Sequence, residues 1–238
     1  MAAKVIIVGS GDSSQINSDL FNKIYASNIS FKRLSCSKKA IYVFSEALLY
    51  TEDDLSNAQP FEGLSIEESN RIRLEKYNQI NNLKAKKIYV VCNDSAKTLS
   101  ALKRKNIEFE SLEIISNKML WNLYRNTFNS YELITIFFRL PSVKLKFAFL
   151  VQFALKRKMS VFFRPSTGIT SIMIALKEAP NFKTYSNGIN VSKQGTRTAF
   201  WGGDSVQYNN YSHGMDYLYY KFFELKGLIN LTEESDES

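Results

Sequence analysis

Short apolar runs separated by polar turns recur along the chain and predict its buried strands. The three clearest runs occupy residues 5–8, 40–44 and 87–92, and Gly, Ser or Asn follows each of them directly. Runs this short and continuous are typical of strands that a parallel sheet buries on both faces. Further strands are expected at residues 107–109 and 182–186, and a weaker one at residues 29–34.

Longer segments with helical spacing lie between these runs. Ser65 and Glu68 have the spacing of a capping box, and Pro141 interrupts the longest helical segment. The predicted helices cover residues 15–25, 65–83, 96–105, 117–158, 169–177 and 216–225. This alternation predicts an α/β fold with a mostly parallel, Rossmann-like sheet and helices on both faces. Ligands of such sheets bind outside the carboxyl ends of the strands.

Two segments near the end of the chain lack this alternation. Residues 191–212 are rich in Gly, Ser, Asn and Tyr and have no clear period, so we expect a mobile lid loop there. Residues 232–238 form an acidic tail. With 238 residues, 45% of them hydrophobic, the chain is long enough for one substantial core. We therefore expect a single α/β domain over residues 1–238.

Charge is unevenly distributed along the chain. The net charge is +8, and residues 118–158 carry a single acid, Glu132, among many basic residues. Those basic residues are Lys118, Arg125, Arg139, Lys144, Lys146, Lys156, Arg157 and Lys158. The segment has two interpretations: core helices with solvated basic side chains, or a surface that lies on an anionic membrane.

Cysteine and histidine usage limits the expected location and cofactors. Cys36 and Cys92 lie far apart, which is typical of reduced thiols in a cytoplasmic protein. Neither a signal peptide nor an apolar run of the ~20 residues that span a membrane is visible. We expect a cytoplasmic protein, with peripheral attachment to the cytoplasmic membrane face as the alternative. With one histidine, two scattered cysteines and no Asp-x-Asp pair, no metal is expected.

Two turns have the chemistry of an anion site. Gly9, Ser10 and Gly11 follow the first strand, where glycines allow close approach of a ligand, although an ordinary strand-to-helix turn explains them equally well. The second turn runs from Arg164 through Ser166, Thr167 and Gly168 into a helix. Its free amides and hydroxyls suit a phosphate or carboxylate, and simple capping explains Ser and Thr but not the preceding Arg-Pro.

His213 is the only histidine, and it precedes Asp216 by three residues. A side chain that titrates near neutrality suits a general base that accepts a proton from a sugar hydroxyl. A surface or capping histidine is the alternative interpretation.

Together these segments resemble the sialyltransferase superfamily. Residues 164–190 (RPSTGITSIMIALKEAPNFKTYSNGIN) are similar to its short shared motif, and residues 4–13 (KVIIVGSGDS) to its opening strand and glycine turn. His213 with Asp216 resembles its late motif, a histidine followed by an acid at the start of a helix. The resemblance covers about a quarter of the chain and implies a bacterial-type enzyme with a variant GT-A-type fold.

The resemblance also implies a reaction. It is an inverting, metal-independent transfer of sialic acid from CMP-sialic acid to a glycan hydroxyl of a cell-surface polysaccharide or lipooligosaccharide. His213 and Asp216 would be catalytic. The residues implied in CMP-sugar binding are Gly9, Ser10, Gly11, Arg164, Ser166, Thr167, Gly168, Gly188 and Asn190.

Departures from the family pattern leave alternatives open. The family places an aromatic hydroxyl directly after the strand that ends in Gly-Ile, and residues 191–193 (VSK) stand at that position here. The candidates to stabilise the leaving phosphate instead are Lys193, Arg197, Tyr208 and Tyr211. Another CMP-activated acidic sugar, such as Kdo, is an alternative donor. A non-catalytic nucleotide- or nucleic-acid-binding protein is a second alternative, which the basic composition favours, but no known RNA-binding motif is present and nucleic acid is not the expected partner.

Overall fold

The fold is described from a computed structural model. The described residues are 3–11, 14–36, 40–49, 60, 64–92, 94–140, 143–155, 164–189, 191, 196–201, 204–209 and 211–231. The predicted acidic tail at residues 232–238 lies outside them, as do Pro141 and the basic residues 156–158.

A parallel sheet of seven strands forms the centre of the protein. Its strand order is β5-β4-β3-β2-β1-β6-β9, and a separate antiparallel pair joins β7 to β8. The strands are β1 (Lys4–Val8), β2 (Lys23–Ser27), β3 (Ala40–Ser45), β4 (Lys84–Val91), β5 (Glu108–Ile115), β6 (Lys183–Asn187), β7 (Thr196–Trp201), β8 (Asp204–Asn209) and β9 (Asn230–Leu231).

Helices follow most of these strands. The α-helices among the described residues are α1 (Ile66–Asn78), α2 (Ser95–Arg104), α3 (Asn117–Thr127), α4 (Ser130–Arg139), α5 (Val143–Leu155), α6 (Thr167–Glu178) and α7 (Tyr211–Leu225). Short 3-10 helices occupy Ser18–Leu20, Asn28–Arg33 and Glu46–Leu49. The Ser65 and Glu68 side chains each accept the backbone amide of the other residue, which confirms the predicted capping box before α1.

Both faces of the sheet are buried at its central strands β1, β2 and β3, as the continuous apolar runs predict. Val5 and Ile7 of β1 belong to a core shared with α3 to α7, whereas Ile6 and Val8 belong to a second core shared with α1 and α2. Successive strand residues point to opposite faces, so a strand between two helical layers must be apolar at every position. The predicted Rossmann-like α/β fold is confirmed.

The prediction of a helix over residues 15–25 is wrong. A 3-10 helix at Ser18–Leu20 is followed directly by β2, which lies between β1 and β3. The predicted strand at 29–34 is also wrong, since Asn28–Arg33 is a 3-10 helix, and only Leu34 forms a bridge, to Ile16. Pairing of β2 with two neighbouring strands overrides the local helical spacing, because a buried strand satisfies its backbone groups on both edges.

Several predicted boundaries also shift. The helix that begins at Ile66 ends at Asn78, β4 begins three residues early, and β5 extends to Ile115. Within the predicted lid loop at residues 191–212, the structure describes the antiparallel pair of β7 and β8 and the start of α7 at Tyr211. Among the residues that the structure describes, none of the helices has the length and apolar character needed to cross a bilayer.

Candidate functional site at the carboxyl ends of the strands

The strand order has a switch point beside β1. From β1 the chain adds β2, β3, β4 and β5 towards one edge of the sheet, and then returns to place β6 on the other side of β1. The connections on the two sides of such a point diverge, which leaves a crevice outside the carboxyl ends of the two central strands. The turns that follow β1 and β6 are therefore the natural position for a ligand site.

Gly9 and Gly188 bring these two turns into direct contact. The Gly9 amide donates to the Asn187 carbonyl at 2.8 Å, and the Gly11 amide donates to the Gly188 carbonyl at 2.7 Å. A Cβ atom on Gly9 would lie 2.2 Å from the Gly188 carbonyl oxygen, so no side chain fits there. These glycines allow the ends of β1 and β6 to approach each other. Half-buried Ser10 lies between Gly9 and Gly11, whose amides donate to the end of β6.

Arg33 completes this contact, and sequence reasoning missed it. The buried guanidinium donates from Nη1 to the Gly9 carbonyl at 2.7 Å and from Nε to the Ser14 carbonyl at 2.9 Å. Its Nη2 donates to the Asn187 Oδ1 and, at 2.9 Å, to the Ser14 Oγ. Arg33 thus holds the β1 turn against the end of β6. No periodic signal marks it, because it ends a 3-10 helix that the pattern presents as a strand.

The turn before α6 lies at the same edge of the sheet. Ser166 is the N-cap of α6, with its Oγ accepting the Ile169 amide at 3.4 Å. One turn into the helix, the Ser171 hydroxyl lies 2.8 Å from the hydroxyl of Ser27, the last residue of β2. The amino end of α6, which begins with half-buried Thr167 and buried Gly168, therefore lies at the carboxyl end of β2. The dipole of α6 makes this edge favourable for an anion.

Asp216 joins the last helix to this turn. Its side chain is buried, and its Oδ1 accepts the Ser166 amide at 2.9 Å. Asp216 lies in the second turn of α7, so the contact places the amino end of α7 beside the amino end of α6. Two of the predicted site residues, Ser166 and Asp216, are thus in direct contact although 50 positions separate them in the chain.

His213 lies inside α7 and not at the end of a loop. Its backbone position is one helical turn before Asp216, about 4.5 Å along the helix axis and on the same side of the helix. The imidazole lies outside the described part of the protein. The backbone therefore places the predicted base within one turn of the residue that contacts Ser166.

Arg164 is held by the ends of β3 and β4. Its Nη2 donates to the Val91 carbonyl at 3.1 Å, and its Nη1 lies 3.4 Å from Oε1 of Glu46. Val91 is the last residue of β4, and Glu46 follows β3 directly. Arg164 therefore anchors the chain that enters α6 to the sheet, in addition to the anion contact predicted for it.

Asn28 is a second residue at this edge that sequence reasoning missed. It follows β2 with a positive φ of 54°, and its Oδ1 accepts the Ser45 amide at 3.1 Å from the end of β3. Asn adopts this conformation more readily than most residues. The signal was available, because Ser27 and Asn28 are polar residues directly after a short apolar run, but the predicted helix over residues 15–25 concealed it.

The remaining predicted residues are only partly described. Asn190 and Lys193 lie outside the described residues. Arg197 and Tyr208 are cross-strand partners in the β7–β8 hairpin, and Tyr211 is the first residue of α7. The side chains of these three residues also lie outside the described part.

A second polar cluster lies at the other end of α6. Glu178 accepts hydrogen bonds from the Tyr25 hydroxyl at 2.6 Å, from Lys87 Nζ at 2.7 Å and from the Tyr89 hydroxyl. Burial and the Glu178 carboxylate raise the pKa of both tyrosines far above the ordinary range. Burial acts to raise the pKa of Glu178, but the bonds from Lys87 and the tyrosines outweigh it and keep that pKa low.

This cluster borders a cleft of about 300 Å³ between α3 and α6. The cleft lies over β4 and β5, whereas the switch point lies beside β1. The cluster and the cleft are thus separate from the carboxyl-end site, and we assign the cluster to stability.

The fold and the position of the site together define an α/β protein of the Rossmann-like class, with its candidate site at the switch point of the sheet. No family model, curated protein or solved structure matches the chain. The argument for its function therefore rests on the residues of the site.

Proposed function

We propose that the protein is an inverting, metal-independent glycosyltransferase that moves sialic acid from CMP-sialic acid to a glycan hydroxyl. One observation carries the proposal. The Ser166 amide donates to Asp216 at 2.9 Å, which joins the anion-binding turn to the helix that contains His213. The segments with the strongest resemblance to sialyltransferases are thus neighbours at the edge of the sheet where Rossmann-like proteins bind ligands.

The amino end of α6 suits the donor. CMP-sialic acid carries a phosphate and a carboxylate, and both are stabilised by the amides and the dipole at a helix start. In this proposal Ser166, Thr167 and Gly168 contact one of these anions. Gly9, Ser10, Gly11 and Gly188 shape the neighbouring wall of the nucleotide pocket, and Arg164 and Asn190 complete it.

His213 is the proposed general base. It accepts the proton of the acceptor hydroxyl while the hydroxyl oxygen forms a bond to the anomeric carbon of the donor. The bond between that carbon and the phosphate oxygen breaks on the opposite face, and CMP leaves with the electron pair. Asp216 is a positioning residue, because its carboxylate is buried against Ser166. Lys193, Arg197, Tyr208 and Tyr211 are the candidates to stabilise the departing phosphate.

Release of CMP tests the proposal directly. Purified protein is incubated with CMP-sialic acid or CMP-Kdo and a panel of glycan acceptors, and free CMP is measured. We expect CMP release with CMP-sialic acid and a reduction in turnover of about 10²–10⁴ in His213→Ala, because a general base contributes that much. Lys221→Gln, two turns further along α7, is the matched control and should retain activity.

Each other outcome has a defined meaning. Turnover with CMP-Kdo but not with CMP-sialic acid would show that Kdo is the transferred sugar and that the reaction is of the proposed type. Normal turnover of His213→Ala would remove His213 from the role of base. Binding of CMP without release from either donor, with all acceptors, would show a non-catalytic nucleotide-binding protein and overturn the proposal.

A further inference from the structure

Two consecutive helices expose large apolar side chains. On α4, Tyr131, Ile134 and Phe138 expose 77%, 54% and 70% of their surface. They recur at intervals of three and four residues, so they form one stripe along the helix.

The next helix, α5, repeats this pattern. Val143 and Phe147 are 82% and 69% exposed, and Leu150 and Val151 continue the stripe. Only three residues separate the two helices in the chain. Scattered exposed apolar residues are normal, but two adjoining stripes of this kind mark an interaction surface.

The exposed stripes belong to helices that the core holds firmly. Leu133 and Ile136 of α4 and Phe149 of α5 are buried in the core that packs on β1. The rings of Phe137 and Phe149 lie 6.0 Å apart and join the two helices. Each helix thus has one apolar face in the core and a second apolar face towards solvent.

The charges around the stripes are positive. Glu132, the single acid among residues 118–158, is buried and its carboxylate contacts Lys226. Successive helix positions are rotated by about 100°, which places half-buried Lys146 beside the α5 stripe. Exposed Arg139 ends α4, and a Lys-Arg-Lys sequence follows α5 in the chain.

We propose that the exposed faces of α4 and α5, called here the docking face, lie on an anionic lipid bilayer. An apolar stripe flanked by lysines is typical of helices that lie in the membrane interface, with the apolar side chains among the acyl chains and the lysines at the headgroups. A second copy of the chain would bring like charges together at the docking face, whereas anionic headgroups neutralise them. The inference is independent of the proposed transfer reaction, since it rests on a different surface.

Vesicle sedimentation tests the docking face. The full chain is mixed with vesicles of phosphatidylglycerol and phosphatidylcholine or of phosphatidylcholine alone, at low and moderate salt. We expect binding to the anionic vesicles that weakens as salt rises. The double variant Phe138→Ser with Phe147→Ser should lower the apparent affinity by roughly tenfold or more, and Lys146→Gln should lower it about fivefold.

Matched controls lie elsewhere on the surface. Leu20 is 62% exposed on a 3-10 helix, and Lys103 is exposed near the end of α2. Leu20→Ser replaces an exposed apolar side chain by serine, and Lys103→Gln removes a lysine charge, both away from the docking face, so both variants should bind vesicles like the wild type. Circular dichroism and thermal unfolding verify that all variants are folded.

Sedimentation equilibrium without lipid separates the membrane from a second copy. One result would overturn the proposal and assign the docking face to self-association. In that result the wild type self-associates, the Phe138→Ser/Phe147→Ser variant is monomeric, and neither protein binds vesicles. Equal vesicle binding by the wild type and the docking-face variants would overturn it as well. Activity on CMP-sialic acid has no part in these readouts, so failure of the transferase proposal leaves this test intact.

Discussion

At the scale of single residues, the candidate site depends on how closely two backbone turns approach each other. Gly188 has a φ of +67°, and a Cβ atom there would lie 2.1 Å from Arg33 Nη1. The same guanidinium holds the Gly9 carbonyl at 2.7 Å. A side chain at residue 188 would therefore disturb both the backbone and the arginine that joins the turns.

Gly188→Ala should lower the free energy of unfolding more than its backbone conformation alone explains. The positive φ costs about 1–2 kcal/mol for an L-residue, and displacement of Arg33 adds to it. Gly227→Ala is the matched control, because Gly227 has a φ of +63° and no atom within 4 Å of the added Cβ. Urea denaturation of both variants measures the difference. Equal losses would show that Arg33 moves aside without cost.

At the scale of secondary structure elements, α6 connects the candidate site to the Glu178 cluster. Its amino end meets β2 through Ser171 and Ser27, and its carboxyl end meets β2 and β4 through Glu178. The position of the turn before α6, for which anion binding is proposed, is therefore determined at one end of a helix whose other end is fixed by the hydrogen bonds to Glu178.

Glu178→Gln should destabilise the protein by about 1–3 kcal/mol at neutral pH, because half-buried Lys87 and the buried Tyr25 and Tyr89 hydroxyls lose their charged acceptor. The folded-state pKa of Glu178 lies below its ordinary value, which is about 4.3. The stability that it contributes is thus present above that pH and is lost as the pH falls through the lowered folded-state pKa. Denaturation of the wild type and the variant across this pH range should show the two converging in acid.

Glu75→Gln is the control for this comparison. It removes the same charge from an exposed ion pair with Arg71 on α1. There we expect the free energy of unfolding to fall by only about 0.2–0.5 kcal/mol. A pH-independent difference between the wild type and Glu178→Gln would contradict the assignment of the charged carboxylate as the acceptor.

At the scale of the whole molecule, the last helix reaches back to the middle of the fold. Asp216 of α7 accepts the Ser166 amide before α6, and Met215, Tyr219 and Phe223 are buried in the same core. The relative position of α6 and α7 therefore depends on one buried carboxylate as well as on apolar packing.

Asp216→Ala should lower the free energy of unfolding by about 1–3 kcal/mol, because the Ser166 amide loses its buried acceptor. Asp216→Asn keeps a carbonyl oxygen at that position, so its free energy of unfolding should fall less than that of Asp216→Ala. Under the proposed function, the same order holds for turnover with CMP-sialic acid. Denaturation and CMP release are measured on the same preparations, and unchanged stability in both variants would contradict a positioning role.

The extent of successful prediction differs between the sheet and the site. Lys4–Val8, Ala40–Ser45 and the second half of Lys84–Val91 carry continuous apolar runs, and their strands were predictable from the local pattern. The strand Lys23–Ser27 was not, because its neighbours β1 and β3 determine its conformation and they lie elsewhere in the chain. The sequence predicts the turns at residues 9–11 and 164–168 as candidate anion sites, but that prediction includes neither Arg33, which contacts the first turn, nor Asn28 at the same edge of the sheet.

The sequence by itself determined the α/β alternation, the turns at residues 9–11 and 164–168 and the basic, acid-poor segment, because each depends on residues close together in the chain. Only the tertiary structure decided that β6 lies beside β1, that Arg33 fills the contact between their turns and that Asp216 meets Ser166. Only the tertiary structure, likewise, revealed which apolar side chains of α4 and α5 remain exposed. These facts depend on strand order and helix packing, which bring together residues that no local pattern relates.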